Sequence, residues 1–200
     1  MGMATSSRTI APRRRPEPVY HTVDMLDVLN DARRRDGTRY EAVYGELLVT
    51  PPPSFWHEVL VDRLARALDR YAEREPAAGY VSRGLSKFTF ERRDTYTMPD
   101  IWAVAMDEAR QLDWLKLTVP LLCAEVLSPS SRRGDRFTKR VLYLSRGVPL
   151  YWVVDGDDRF VEVWRPGDET PHVETEALVW EPAGAAAPFR YALAELFAPL

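Results

Sequence analysis

The sequence predicts an α/β fold in which a mixed central β-sheet is flanked by helices. Residues 56–73 place apolar side chains at the i, i+4, i+7 and i+8 spacing of one helical face, which predicts an amphipathic helix. Residues 121–127 and 150–154 are nearly continuous apolar runs, typical of strands covered on both faces. A helix is predicted between them at residues 132–146, so this strand, helix, strand order indicates a parallel crossover.

The other predicted elements are shorter. Residues 39–49 alternate and contain Gly45, which predicts two short strands or one bulged strand. Residues 80–90 and 98–104 predict neighbouring strands separated by a charged turn. We also expect a helix at residues 23–32, strands at residues 159–164 and 173–180, and a short terminal helix near residues 193–197.

The length and the ends of the chain predict its domain organisation. Two hundred residues suffice for one compact domain. Residues 1–19 are rich in Ser, Thr, Arg and Pro without periodicity, so we expect a disordered basic tail there and a folded domain at residues 20–200. No apolar stretch follows the arginines of the tail, and no apolar run is long enough to cross a bilayer. We therefore expect a cytoplasmic protein without a membrane segment.

Composition narrows the possible chemistry. Cys123 is the single cysteine, which excludes an intramolecular disulfide and a multi-thiolate metal site within one chain. The net charge of −3 gives no global signal for nucleic-acid binding, so any such surface must be a local patch. The sequence has no glycine-rich phosphate loop and no G-x-S-x-G motif, which disfavours nucleotide-driven and serine-hydrolase chemistry.

Two acidic residues stand in apolar strand segments. Glu125 interrupts residues 121–127, and Asp100 begins another predicted strand after Pro99. An ionised carboxylate in such a strand is costly unless it is paired or holds a metal. Two carboxylates from neighbouring strands form a standard oxygen-ligand pair for Mg²⁺. The alternative is that Asp100 caps a turn and that Glu125 pairs with a buried arginine.

The segment after Glu125 is polar and then basic. Ser128 and Ser130 can cap a helix N-terminus, which binds phosphate through free backbone N–H groups and the helix dipole. The alternative is that the basic residues of this segment bind no phosphate and only form an ordinary solvated helix face. The helix would carry five basic residues and one acid: Arg132, Arg133, Arg136, Lys139 and Arg140, with Asp135.

These motifs resemble the bacterial "putative restriction endonuclease" family, once a domain of unknown function. The resemblance covers roughly residues 23–197 and rests on five motifs, namely Met98-Pro99-Asp100, residues 124–131, residues 135–139, Tyr143 and residues 147–155. That family is assigned to the PD-(D/E)XK nuclease superfamily. The resemblance therefore implies a restriction-endonuclease-like fold with Mg²⁺, or Mn²⁺, between acids on adjacent strands.

The resemblance also implies roles for individual residues. Asp100 and Glu125 correspond to the catalytic, metal-binding acids of the family. The superfamily usually has a lysine two positions after the second acid, but this sequence has Leu127 there, and Lys139 on the following helix matches the family's relocated catalytic lysine. His57 either contacts the site or only caps its helix. The accessory candidates are Glu46, His57 and Asp135.

Three functions are compatible with these residues. The leading interpretation is a Mg²⁺-dependent phosphodiesterase acting on DNA, most simply an endonuclease, with a homodimer as a further expectation. The main alternative is a catalytically inactive nuclease-fold protein that binds nucleic acid or a protein partner. A third interpretation is a metal-dependent hydrolase of another phosphate ester. Retention of Asp100, Glu125 and Lys139 favours the first, whereas Leu127 at the usual lysine position keeps the second open.

Overall fold

The structure is a computed structural model that describes residues 20–33, 37–84, 87–113 and 116–200. The tail predicted at residues 1–19 lies outside these residues. The strands are β1 Arg39–Val43, β2 Glu46–Thr50, β3 Tyr80–Arg83, β4 Ile101–Val104, β5 Leu122–Val126, β6 Tyr151–Asp155, β7 Phe160–Trp164, β8 His172–Glu174, β9 Ala177–Trp180 and β10 Phe189–Ala192. The helices are α1 Val23–Arg33, α2 Phe55–Ala72, α3 Met106–Ala109, α4 Arg140–Ser145 and α5 Leu193–Leu196, with a 3₁₀ turn at Pro76–Ala78 and a π-helical turn, Gly134–Lys139, directly before α4.

Six strands form a mixed central sheet in the order β3-β4-β5-β6-β7-β8. The pair β5 and β6 is parallel, with Cys123 opposite Tyr151, and the other neighbouring pairs are antiparallel. The π-helical turn and α4 together form the connection between the two parallel strands, and we call residues 134–145 the crossover helix. The α/β fold with a mixed central sheet is therefore confirmed, and so is the parallel crossover.

Helices cover both faces of this sheet. On one face, Leu60, Leu64 and Leu68 of α2 join the same hydrophobic core as Ala124 and Trp152. Side chains alternate along a strand, so the next residues point to the opposite face. There the buried core includes Leu142 and Tyr143 of the crossover helix with Cys123, Tyr151 and Val153 of the sheet. Glu125 belongs to this second face, because it alternates with Ala124 and Val126.

The segment at residues 39–49 forms a hairpin, the first of the two forms predicted. Val43 pairs with Glu46, which leaves a two-residue turn. Tyr44 and Gly45 both have positive φ, 52° and 81°, as the tight turn that matches strand twist requires. A side chain at Gly45 would also collide with the ring of Tyr20. The hairpin is held to the body of the fold by exchange of two backbone hydrogen bonds between Ala42 and Tyr96.

Two strand predictions were too long. The strand predicted at residues 80–90 ends at Arg83, and Phe88 makes only an isolated bridge to Thr97 before a turn in which Phe90 and Glu91 have positive φ. The strand predicted at residues 173–180 is two strands, since β8 belongs to the central sheet and β9 pairs with β10 in a separate sheet. Alternation predicts extended backbone but does not specify which partner a strand takes. No helix within the described ranges has the length and apolar character needed to span a bilayer.

Candidate functional site

The pairing of β4 with β5 brings Asp100 and Glu125 together. Ile101 lies opposite Ala124, so one step further along this antiparallel pair Asp100 lies opposite Glu125, and cross-strand partners project to the same face. The backbone N–H of Asp100 approaches Glu125 Oε2 at 3.4 Å, and the N–H of Val126 donates to Asp100 Oδ2 at 2.9 Å. Both side chains are buried, with 4% and 1% of their surface exposed.

Asp100 is held by basic side chains rather than by a turn. Arg39 Nη1 donates to Asp100 Oδ1 at 2.9 Å, and His57 Nε2 lies 3.5 Å from the same oxygen. Burial alone would raise the pKa of Asp100, but the Arg39 guanidinium, His57 and the N–H of Val126 outweigh burial and hold that pKa well below its usual value. His57 therefore contacts the site, whereas the cap of α2 is Ser54, whose hydroxyl accepts the His57 N–H.

Lys139 is the cation at the centre of the site. Its ammonium lies 3.0 Å from Glu125, 2.9 Å from Glu41 and 3.2 Å from Asp135, and only 3% of the residue is exposed. The hydroxyl of Tyr143 donates to the same Glu125 oxygen at 3.1 Å. Burial lowers the pKa of Lys139, but the three carboxylates outweigh burial and raise it well above its ordinary value. Glu125 thus pairs with a buried lysine, not with the buried arginine considered from the sequence.

The crossover helix is widened where it carries Lys139. In a π-helical turn the usual i to i+4 backbone ladder is interrupted, and such turns are frequent at functional sites. Here the hydroxyl of Tyr151 donates to the carbonyl of Asp135 at 2.9 Å. The carboxylate of Asp135 and the ammonium of Lys139 lie 3.2 Å apart across this turn, and both residues are buried in the site.

Glu41 is the site residue that sequence reasoning missed. It lies in β1 with no exposed surface, and its Oε1 accepts the backbone N–H of Met98 at 2.7 Å. The accessory candidate Glu46 is exposed at the start of β2, and within the described ranges no ion pair or hydrogen bond joins Glu46 to the cluster. Both acids lie in one hairpin, and only the structure shows that Glu41 is the one whose side chain enters the cluster.

The site holds more negative than positive charge. Four buried carboxylates, those of Glu41, Asp100, Glu125 and Asp135, surround two permanent cations, Arg39 and Lys139, which leaves an excess of two negative charges when all are ionised. Burial raises the pKa of Glu125 well above its ordinary value; the nearby charge of Lys139 opposes the increase, and repulsion from the other three acids adds to it. A further cation is therefore needed to ionise this cluster fully.

A narrow opening leads to these groups, and we call it the slot. Its cavity volume is about 10 Å³, roughly what one water molecule requires. His57 lines the slot, and its Nδ1 atom is buried and has no hydrogen-bond partner within the described ranges. The slot is lined by Arg39, Thr50, Pro51, Pro53, His57, Asp100, Glu125, Val126, Ser128, Ser131, Asp135 and Lys139.

These residues fit a divalent cation. Among the residues that the structure describes, no group of three or more His, Cys, Asp and Glu side chains is arranged to hold a metal ion. Mg²⁺ does not require such a group, because one or two carboxylates with water and substrate oxygens suffice. Asp100 and Glu125 supply two carboxylates on one face of adjacent strands, and the excess negative charge around them favours a cation of charge two.

The basic run on the crossover helix is mostly ion-paired. Arg132 and Arg136 both donate to Asp155, at 2.8 Å and 2.9 Å, and Arg136 also donates to Glu162 at 2.6 Å. The guanidinium of Arg140 stacks over the ring of Trp164 at 4.1 Å. Arg132 and Arg136 thus have carboxylate partners and Arg140 has an aromatic one, and phosphate binding at the start of this helix stays a prediction.

The predicted cap before that helix is present in part. The hydroxyl of Ser128 accepts the backbone N–H of Ser131 at 3.2 Å, and Ser131 Oγ accepts the N–H of Ser128 at 3.0 Å. The hydroxyl of Ser130 contacts the hydroxyl of Ser128 at 3.1 Å rather than a backbone N–H of the helix. The two serines at the ends of this turn fix one wall of the slot.

A mixed sheet with acids on adjacent strands and a lysine on the covering helix defines a restriction-endonuclease-like α/β protein. The Uma2 family, described as "Putative restriction endonuclease", matches residues 24–188, and the chain belongs to this family. The structure is similar to the crystal structure of "a putative nuclease belonging to DUF820" from Anabaena variabilis, with a TM-score of 0.66 and 21% identity over 80% of this chain and 90% of that chain. This similarity shows a shared fold. No curated protein matches the chain.

Proposed function

We propose that this protein is a Mg²⁺-dependent nuclease that hydrolyses phosphodiester bonds within DNA. The observation that carries the proposal is the placement of Asp100 opposite Glu125, with Lys139 3.0 Å from Glu125, in a buried cluster with excess negative charge. Membership of a family described as "Putative restriction endonuclease" supports nuclease activity. The binding-only alternative is less favoured, because a binding module has no use for four acids crowded around one lysine.

Asp100 and Glu125 would hold the cation. When bound, Mg²⁺ lowers the pKa of a coordinated water and neutralises charge on the scissile phosphate. Arg39 fixes the orientation of Asp100 through Oδ1, and Tyr143 does the same for Glu125 through Oε1. These contacts pre-organise both carboxylates before substrate arrives.

Lys139 would supply the positive charge that Leu127 cannot. Its ammonium already lies beside Glu125 at the inner end of the slot, where the phosphate must enter. A fixed ammonium stabilises negative charge that develops on the phosphate in the transition state. His57 lines the same slot, and its Nε2 lies 3.5 Å from Asp100 Oδ1, so it would help to orient the carboxylate that holds the cation.

Cleavage of supercoiled plasmid DNA with Mg²⁺ or Mn²⁺ and with EDTA tests this proposal. We expect cleavage only with the metal, and none from Glu125→Gln, whose melting temperature should equal or exceed that of the wild type because like-charge repulsion is relieved. Glu169→Gln is the matched control, since this acid is exposed, does not line the slot or the neighbouring cavity, and should leave the rate unchanged. Full activity of Glu125→Gln would refute the assignment, and DNA binding without any cleavage would favour the binding-only alternative.

A further inference from the structure

A groove continues from the slot between β2 and the crossover helix. Its cavity volume is about 220 Å³, and it shares Thr50, Ser131, Asp135 and Lys139 with the slot. Because the shared residues come from both walls, a molecule that reaches the slot can extend directly into the groove. The groove can therefore hold the part of a substrate that flanks the reacting bond.

The two walls of the groove lead away from the slot together. Thr50 and Ser131 stand at the slot, and further along a Cβ atom placed on Gly134 would lie 3.9 Å from the methyl groups of Leu48. A strand rises about 3.3 Å per residue, so β2 extends the groove roughly 13 Å from the slot to Glu46. The exposed acid of the groove, Glu46, therefore lies at the end away from the slot.

Arg133 brings a positive charge into the groove. The other three arginines at the start of the crossover helix have the carboxylate and aromatic partners described above, and Lys139 is surrounded by acids. Arg133 is exposed, lines the groove and has no ion-pair partner among the residues that the structure describes. Its guanidinium only donates hydrogen bonds, and its planar fork matches the oxygens of a phosphate.

Two threonines add hydroxyl groups on opposite walls of the groove. The side chains of Thr50 and Thr138 line it, and neither hydroxyl has a hydrogen-bond partner in the described part of the chain. Arginine and threonine are both among the side chains that contact the phosphate and sugar oxygens of DNA. The carboxylate of Asp135 does not oppose such a contact strongly, because the ammonium of Lys139 lies 3.2 Å from it.

We propose that the DNA backbone beside the cleaved phosphate lies in this groove, with a flanking phosphate bound by Arg133 and Thr138. This inference rests on the proposed nuclease function and names the residues that hold its substrate. Neither residue lines the slot itself. Both would therefore bind the substrate and the transition state equally, and their loss should change KM rather than kcat.

Steady-state cleavage of a labelled duplex oligonucleotide in Mg²⁺ measures the two constants. We expect Arg133→Ala to raise KM about tenfold, the scale of a hydrogen bond to a charged group, with kcat nearly unchanged. Thr138→Val, which removes only a neutral hydroxyl, should raise KM about threefold. The matched control is Arg165→Ala, because Arg165 is also exposed and lines neither the slot nor the groove, so the change in net charge is the same.

The salt dependence of binding tests for a phosphate contact without any cleavage. Fluorescence anisotropy of the full chain with the same duplex in EDTA gives the affinity at several salt concentrations. We expect Arg133→Ala to reduce the slope of log affinity against log salt by about one, the loss of one phosphate contact. Arg133→Lys should retain the slope because it retains the charge, and Arg165→Ala should also retain it.

The two assays together separate this inference from the nuclease proposal. Binding that depends on Arg133, without cleavage by the wild type, would contradict the nuclease proposal and leave the groove inference standing. Cleavage in which Arg133→Ala and Arg165→Ala change KM equally would overturn the groove inference while the nuclease proposal holds. A lower kcat with unchanged KM in Arg133→Ala would also overturn it, and so would an unchanged salt slope.

Discussion

The crossover helix separates two buried clusters of charge that differ in their balance. On the side of Asp100 and Glu125, four carboxylates surround two cations, and Glu125 has a raised pKa. On the side of β6 and β7, Asp155 accepts from both Arg132 and Arg136, and Arg136 also holds Glu162. Both clusters contain buried ionised groups, but only in the second do the negative charges of the acids match the positive charges of the arginines.

The pKa values of the two acids shift in opposite directions. Burial raises the pKa of Asp155, but the N–H of Asp158 and the two guanidiniums outweigh burial and lower it. Burial also raises the pKa of Glu125, and there Lys139 opposes the increase while three neighbouring carboxylates add to it, so the pKa stays well above its ordinary value. A balanced cluster needs no further charge to stay ionised, whereas an unbalanced buried cluster favours an added cation or a proton. Functional sites are where such an imbalance is retained.

The sharpest test of the comparison removes one cation from each side of the crossover helix. We expect Lys139→Met to lower the plasmid cleavage rate in Mg²⁺ by about a hundredfold, the scale of one transition-state electrostatic contact. The control is Arg140→Ala, which removes the guanidinium stacked on Trp164 and should cost roughly 1 kcal/mol of stability with little change in rate. Equal, small effects on the rate would mean that the lysine is only structural.

A second test asks whether only the unbalanced cluster responds to metal. We expect Mg²⁺ at about a hundred times its Kd to stabilise the folded chain by about 2.7 kcal/mol, or about 5–10 °C in melting temperature. Thermal melts at matched ionic strength measure this. Asp155→Asn should respond to Mg²⁺ like the wild type, whereas Asp100→Asn should lose the response. A melting temperature that rises equally with Mg²⁺ in all three proteins would indicate surface screening instead.

The sequence correctly predicted those features that a few adjacent residues determine. The crossover helix ends as expected, because Gly147 has a φ of 85° and the N–H groups of Gly147 and Val148 cap the carbonyls of Leu144 and Tyr143. Glu125 stood out because an acid in an apolar strand demands a partner. Both features depend on a few adjacent residues, which is what periodicity and capping rules describe.

The partners of those acids could not be predicted in the same way. Arg39 and Glu41 reach the site from β1, about sixty residues before Asp100, and their placement depends on how the hairpin docks on Tyr96. A register shift of one residue would turn Glu41 outward. The π-helical turn also has no local signal, because its side chains still fit the ordinary helical spacing. The charge balance of the site therefore could not be predicted from the sequence and is known only from the structure.

The smallest expected effect concerns the balanced cluster and pH. The folded pKa of Asp155 lies below its unfolded value of 3.8, so its contribution to stability is fully present above that value and is lost as pH falls through the folded pKa. We expect Asp155→Asn to lower the free energy of unfolding by about 1–3 kcal/mol near neutral pH. The difference from the wild type should shrink as pH falls below 3.8 and through the lower folded pKa. Urea unfolding near neutral pH and at an acidic pH below 3.8 measures it.

Asp157 provides the matched control for this last prediction. It pairs with the same Arg132 at 2.7 Å, but its side chain is 69% exposed, so solvent screens the pair. Asp157→Asn should therefore change stability by about 1 kcal/mol or less, at either pH. If Asp155→Asn behaved like Asp157→Asn, or if its effect were independent of pH, the buried arginine pair would not hold an ionised Asp155. The contrast with the carboxylate cluster would then rest on Glu125 alone.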